Sequence, residues 1–339
     1  MKTILVTGGA GYIGSHTAVE LTRAGYGVVI VDNLINADMA CVDGARNITG
    51  TDIPFERVDC CDAEAMDAVF KKYKIDAVIH FAALKAVGES VQKPMEYYRN
   101  NIDSMLTVME TMRSHGVGNI VFSSSCTVYG QADVLPVTEQ SPRKEATSPY
   151  GRTKQICEDI LSDCVKAGVG IKGIALRYFN PVGAHPTGLI GELPRGVPNN
   201  LMPYITQTAA GIRECLNIFG DDYDTPDGTN LRDYIDVVDL AQAHVAAVAR
   251  MLEGKSRSDY EIFNIGTGRA VSVLELVHKF KEVNGLRLCY KIVGRREGDI
   301  EAVWADTTYA NDELGWRARR TLEETLASAW NWEKKIRGL

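Results

Sequence analysis

An α/β chain built on a doubly wound parallel sheet is predicted by three features of the sequence. Short β-branched segments alternate with amphipathic ones through the first half, a glycine-rich turn follows the first of them, and an acidic residue closes the second. Alternating strand and helix signals imply right-handed βαβ crossovers, with helices on both faces of the sheet. Ligands of such a sheet bind beyond the carboxyl ends of its strands, so a Rossmann-type arrangement is expected.

The first strand signal ends near Val6 and runs into Thr7-Gly8-Gly9-Ala10-Gly11-Tyr12-Ile13-Gly14, a TGxxGxxG turn that opens a helix over about 12–24. A helix N-terminus has unpaired N–H donors and about half a unit of positive charge. Gly8, Gly11 and Gly14 let an anion approach the main chain, an arrangement that suits a pyrophosphate. The second strand, Val28-Val29-Ile30-Val31, ends in Asp32-Asn33. A carboxylate about 20 residues after the glycine loop accepts the hydroxyls of an adenosine ribose. It also repels a 2′-phosphate, and Asn33 supplies no compensating cation. The expected cofactor is NAD rather than NADP.

Further strand ends fall near Arg57, His80, Ser124 and Arg177, with helices over about 63–73, 94–115 and 149–167. Past Asn180, glycine, proline and asparagine punctuate the chain, and helices are expected over about 237–252 and 272–283. The expected organisation is a nucleotide-binding domain over 1–180 and a smaller C-terminal α/β substrate domain over 181–339. The boundary is approximate and open to interleaving.

Composition narrows the function. With 339 residues, 45% apolar and 24% charged, the chain reads as a soluble globular protein. Its net charge of −7 argues against a nucleic-acid or anionic-membrane partner. No apolar run reaches about 18 residues, and Gly8, Gly9 and Gly11 interrupt the only export-like start, so a cytoplasmic location is expected. The eight cysteines are scattered and read as inert thiols in a reducing compartment, without a disulfide framework. The six histidines form no HxxxH set, and no metal is expected.

Tyr150-Gly151-Arg152-Thr153-Lys154 places a phenol and an ammonium on one face of a helix that Ser148 can cap and Pro149 can open. A tyrosine near pKa 10 must fall by about three units to act as a base near neutrality, which is about 4 kcal/mol of preferential phenolate stabilisation. A neighbouring lysine and a positive nicotinamide ring can supply it. The strand over 119–125 ends in Ser123-Ser124-Ser125, where Ser125 can bond the same substrate oxygen. With no acid or histidine adjacent, a nucleophilic serine is not supported. Taken singly, the tyrosine–lysine pair also fits an ordinary surface helix, and the serines a turn or cap. Cys126 has no activating neighbour and reads as packing.

Together, the glycine turn, Asp32, the Ser125/Tyr150/Lys154 set, and the strings His80-Phe81-Ala82-Ala83-Leu84-Lys85-Ala86-Val87-Gly88-Glu89-Ser90 and Arg177-Tyr178-Phe179-Asn180-Pro181-Val182-Gly183-Ala184 resemble the extended short-chain dehydrogenase/reductase family from end to end. The similarity is strongest to members that epimerise UDP-hexoses. It implies that Tyr12, Ile13, Asp32, Asn33, Leu34, Ile35, Asn36, Ala37, Asp59 and Cys60 line NAD. Phe81, Ala82, Ala83, Leu84, Lys85, Asn100 and Phe179 would do so as well, beside Ser125, Tyr150 and Lys154. For the UDP-sugar it implies Asn180, Asn200, Leu201, Asn217, Ile218, Phe219, Arg232, Arg296 and Asp299. Arg232 and Arg296 suit a diphosphate, which guanidinium binds bidentately, or else they pair with Asp233 or Glu297.

The implied reaction interconverts UDP-glucose and UDP-galactose by reversible hydride transfer at sugar C4 through a 4-keto intermediate. A homodimer through the helices over 94–115 and 149–167 is also implied. Val303 stands where many bacterial relatives carry a tyrosine. The smaller side chain either makes room for the N-acetyl group of UDP-GlcNAc and UDP-GalNAc or only fills the core. A related 4,6-dehydratase would need an Asp-Glu pair where this chain has Ser125-Cys126. A non-catalytic NAD sensor would be expected to lack Tyr150 or Lys154, and both are present.

Overall fold

The computed structural model describes residues 1–296 and 298–339, so Glu297 and its suggested pairing lie outside the described residues. Six strand and helix alternations come first: β1 (Thr3–Thr7), α1 (Tyr12–Arg23), β2 (Gly27–Val31), α2 (Met39–Thr49), β3 (Phe55–Glu56), α3 (Ala63–Lys72), β4 (Ala77–His80), α4 (Val87–Gln92), α5 (Pro94–Ser114), β5 (Asn119–Ser123), α6 (Pro149–Lys166) and β6 (Lys172–Tyr178). Then follow β7 (Asn180–Val182), α7 (Leu201–Ala209), β8 (Leu216–Phe219), β9 (Leu231–Arg232), β10 (Tyr234–Asp236), α8 (Val237–Leu252), β11 (Tyr260–Ile265), β12 (Val271–Ser272), α9 (Val273–Asn284), β13 (Tyr290–Val293), β14 (Ala302–Val303) and α10 (Leu322–Arg337).

The main sheet has seven parallel strands in the order β11-β6-β5-β4-β1-β2-β3. Strand order reverses between β1 and β4, the switch point at which doubly wound folds hold their ligands. The period-two alternation of the strands builds a core on each face. Ile4, Val6, Ile30, Ile79 and Val121 pack with α1, α2 and α8, while Leu5, Val29, Val78, Ile120 and Phe122 pack with α3, α5 and α6. Each such aliphatic burial contributes about 1.5–3 kcal/mol.

The second half is not a separate block in space. β11 joins the main sheet by pairing with β6 over six residues, and α8 packs along α1. The remaining elements form small sheets, β10-β7, β12-β9-β14 and β13-β8, around a third core that includes Ile205, Ile218, Leu276, Phe280 and Leu326. Helices α2, α4, α7 and α10 add to those read from the sequence.

One expectation is corrected here. Cys215 and Cys289 are joined as a disulfide, because parallel pairing of β8 with β13 in the register Leu216↔Tyr290 sets the two preceding residues side by side. The other six cysteines are free thiols. Among the described residues no helix is long and apolar enough to cross a membrane.

Candidate active site

A cleft of about 740 Å³ opens at the carboxyl ends of β1, β2, β4 and β5, within the range of small-molecule and cofactor sites. Its floor is the glycine turn. Gly8 adopts a left-handed φ of 68°, and a Cβ there would come within 2.7 Å of the Ala82 nitrogen. A Cβ on Gly14 would meet the Gly8 carbonyl oxygen at 2.4 Å, so α1 can start this close to the strand only with glycine. No side chain caps α1 at Gly11, which leaves its first-turn N–H groups, at Tyr12, Ile13 and Gly14, lining the cleft as anion donors. This cradle fits a dinucleotide diphosphate.

Asp32 closes β2 with its carboxylate accepting from the Ala10 N–H at 3.1 Å and the Leu34 N–H at 2.8 Å. Burial raises its carboxyl above the ordinary range, against the pull of those two N–H groups and of Arg195. The tight turn puts Leu34 at φ 61°, with its side chain packed on the core rather than in the cleft. Asn33, Ile35, Asn36, Ala37, Asp59 and Cys60 all line the cleft, and Asn33 donates to Asp59 at 3.0 Å. Phe81, Ala82, Ala83, Leu84 and Lys85, after β4, form the opposite wall with Asn100 of α5. Asn101 holds that wall in place, accepting from the Leu84 N–H at 2.8 Å and donating to the Leu84 carbonyl at 3.0 Å.

Ser148 caps α6 by accepting from the Gly151 N–H at 3.1 Å, and Pro149 occupies the first turn. The helix carries Tyr150 and Lys154 into the cleft, 8% and 4% exposed. Lys154 Nζ lies 5.9 Å from the Tyr150 ring centre and donates to the Ser123 carbonyl at 2.6 Å. Burial draws its pKa down to about 8, with the Cys157 thiol and the Glu158 carboxylate pulling upward. Burial and the neighbouring Tyr178 push the Tyr150 phenol well above its ordinary value, and the Ser125 hydroxyl opposes them. Ser125 and Cys126 line the same wall, and burial pushes the Cys126 thiol up to about 12, as befits an inert group.

The residues expected to hold the sugar nucleotide divide into two groups. Asn180 and Asn200 line the cleft, as does Phe179. Ile218 is buried in the third core, and Leu201 packs against that core while only partly buried. Between them in sequence, Asn217 has a buried side-chain oxygen without a partner, and Phe219 is 36% exposed with the Arg296 guanidinium 5.5 Å from its ring centre. Arg296 pairs with Asp299 at 2.7 Å.

Arg232 does not pair with Asp233. Its guanidinium donates to the carbonyls of Leu231, Ile300 and Glu301, and the Asp233 carboxylate is taken up by Thr267, Gly268 and Ala305. Val303 is 2% exposed and packs with Val128, Tyr129, Val137, Phe179 and Ala305. It does not line the cleft itself but lies behind Phe179 and Cys126, which do.

Residues not singled out from the sequence complete the site. Tyr178 shares a hydrogen bond with Ser123 at 2.6 Å and lines the cleft. Glu158, one turn beyond Lys154, accepts from Ser124 at 2.5 Å. The i, i+4, i+8 spacing of Tyr150, Lys154 and Glu158 on one helix face was the available signal.

A dinucleotide-binding enzyme of the Rossmann class is what this fold defines. The model of the NAD dependent epimerase/dehydratase family matches residues 4–266, and the chain belongs to that family. Within it, the chain is 51% identical to the UDP-glucose 4-epimerase of Bacillus subtilis, over 97% of this chain and 96% of that one. Two solved UDP-glucose 4-epimerases have the same fold. That of Stenotrophomonas maltophila, with bound NAD and formylated UDP-arabinopyranose, aligns at a TM-score of 0.96 and 47% identity, covering 100% of this chain and 99% of that one. That of Bifidobacterium longum, in complex with NAD+ and UDP, aligns at 0.95 and 46%, covering 98% of both chains.

Proposed function

We propose that this protein is an NAD-dependent isomerase that interconverts UDP-glucose and UDP-galactose at sugar C4. The observation that carries the reading is the convergence of Tyr150, Lys154 and Ser125 on one wall of the cleft beside the glycine cradle. NAD would be held by the glycine turn, Asp32 and Lys154, and would supply the hydride acceptor and donor for C4 of the sugar. Tyr150 takes the proton of the 4-hydroxyl as general base and gives it back, which requires the positive charges of Lys154 and of bound NAD to overcome the burial that raises its phenol. Lys154, charged and held by the Ser123 carbonyl, stabilises the phenolate electrostatically. Ser125 orients the sugar oxygen. Arg232, Arg296 and Asn217 hold the UDP moiety while the sugar turns over.

Purified protein given UDP-galactose and no added nucleotide should produce UDP-glucose. If no product forms even with NAD supplied, the assignment fails.

Two finer points belong to the same proposal. Val303 backs Phe179 with a small side chain and leaves space for an N-acetyl group, so UDP-GlcNAc and UDP-GalNAc are additional substrates. The protein works as a cytoplasmic homodimer, with α5 and α6 pairing across a two-fold axis. Exposed Val91, Met95 and Leu106, at 62%, 84% and 39%, lie on or beside α5 and support a covered face.

A further inference from the structure

Residues 192–200 form a strap without regular secondary structure that lines the cleft between β7 and α7 of the chain. Both of its roots are fixed. Gly191 lies so flat against Trp332 that a Cβ would come within 2.5 Å of the indole, and Trp332 Nε1 donates to the Glu192 carbonyl at 3.0 Å. At the other end Asn200 begins α7.

Between these roots two side chains reach across to the nucleotide-binding elements. The Arg195 guanidinium donates to the Ile35 carbonyl at 3.1 Å and to the Ala37 carbonyl at 2.7 Å. Glu192 accepts from Lys85 at 3.4 Å and from Asn200 at 2.6 Å. Ile35–Ala37 is the turn that follows Asp32, and Arg195 lies near enough for its charge to act on the Asp32 carboxyl. The chain thereby brings a cation to the adenosine end of the cleft from more than 150 residues away, where neighbouring Asn33 supplies none.

We infer that Arg195 is the fastener of a clasp that retains the dinucleotide, a positioning residue that closes strap 192–200 over the adenosine half of the cleft. The inference rests on the NAD-dependent reading above. With Arg195 bonded, the strap is tied to the Asp32–Ala37 turn, and that turn through Asp32 and Ala10 to the glycine turn. A nucleotide held there leaves only after both carbonyl bonds break. The bonds run from a strap already ordered at both roots to main-chain acceptors of the Ile35–Ala37 turn, so closing it orders few additional groups. Epimerisation needs such retention, because a cofactor lost midway strands the keto sugar.

The test compares wild type, Arg195→Gln and Arg195→Lys as purified holoproteins. NAD per chain is measured after prolonged dialysis by denaturing extraction and chromatography, and the release rate by enzymatic trapping of free NAD. Arg195→Gln is expected to release NAD at least tenfold faster than wild type. Its turnover after dialysis should be restored by saturating added NAD. Arg195→Lys keeps the charge but cannot span both carbonyls, and should fall between the two; it replaces the glutamine variant if that one melts several degrees lower. Release within twofold of wild type in the variant used overturns the clasp alone. A wild type that holds no NAD and leaves UDP-galactose unchanged overturns the functional reading instead.

Discussion

Glu158 and Arg177 meet inside the protein as a two-pronged ion pair, Nε to Oε1 at 2.9 Å and Nη2 to Oε2 at 2.7 Å, with side chains only 2% and 3% exposed. The pair joins α6, which carries Tyr150 and Lys154, to β6. Ser124 adds β5 to the same carboxylate, and the Arg177 guanidinium also reaches the Tyr129 hydroxyl at 3.1 Å. Removing the acid leaves a buried guanidinium uncompensated, which costs about 3–5 kcal/mol. Glu158→Gln is expected to lower Tm by several degrees in calorimetry; an unchanged Tm would show that the pair contributes nothing net.

Tyr150→Phe removes the proton acceptor and little else, since the ring stays packed. Turnover of UDP-galactose should fall by about 10²–10⁴, while NAD extracted from the purified variant stays at the wild-type stoichiometry. Turnover close to wild type would reject the base assignment.

Lys154 predicts the alkaline limb of the pH profile. With its pKa lowered to about 8 by burial, the ammonium is present below that pH and lost above it, taking the support of the phenolate with it. Activity should therefore decline as pH rises through about 8. In Lys154→Arg the guanidinium stays charged throughout this range, so residual activity should show no such limb. A limb at the same pH in that variant would assign it to another group.

Four buried histidines set an acid limit on stability. Burial holds His16 and His80 down to about 3 and His185 and His244 to about 4, from 6.5. Between those values the unfolded chain binds protons that the folded one refuses, so folding free energy is lost as pH falls below 6.5. Each group contributes about 1.4 kcal/mol per pH unit. Asp236, raised by burial to about 6, takes up one proton when folded and offsets one of the four. Tm should drop steeply from pH 6.5 to 5. A flat Tm over that interval would mean that the imidazoles are not held neutral.

Val303→Tyr places a phenol where a buried valine now backs Phe179. Activity on UDP-GlcNAc should fall at least tenfold while UDP-glucose turnover changes by less than threefold. Equal losses on both sugars would make Val303 a packing residue.

The sequence pointed to the cofactor half of the cleft because its determinants are local. Gly8, Gly11, Gly14 and Asp32 lie within one βαβ unit, and Tyr150 and Lys154 within one helical turn. The missing parts are long-range. Arg195 acquires meaning only when the strap meets the Ile35–Ala37 turn, and Arg177 only when α6 packs on β6. Cys215 and Cys289 become partners through the register of β8 and β13, which no local pattern encodes. Helix α2 was missed although Asp38 caps it, because it is short and holds Gly44 and Asn47, both weak helix formers, in its interior. Ile218 shares a strand with Asn217 and Phe219, and alternation turns it toward the core.

The seventh strand gives the protein a schedule. Until residue 265 has emerged from the ribosome, β6 is an open, apolar edge ready to pair with any extended chain nearby, and the face that α8 covers stays wet. A fragment ending near residue 180 would carry the glycine cradle and helix α6 yet remain prone to aggregate. Chaperones, rather than cofactor, are what a nascent chain of that length would first meet.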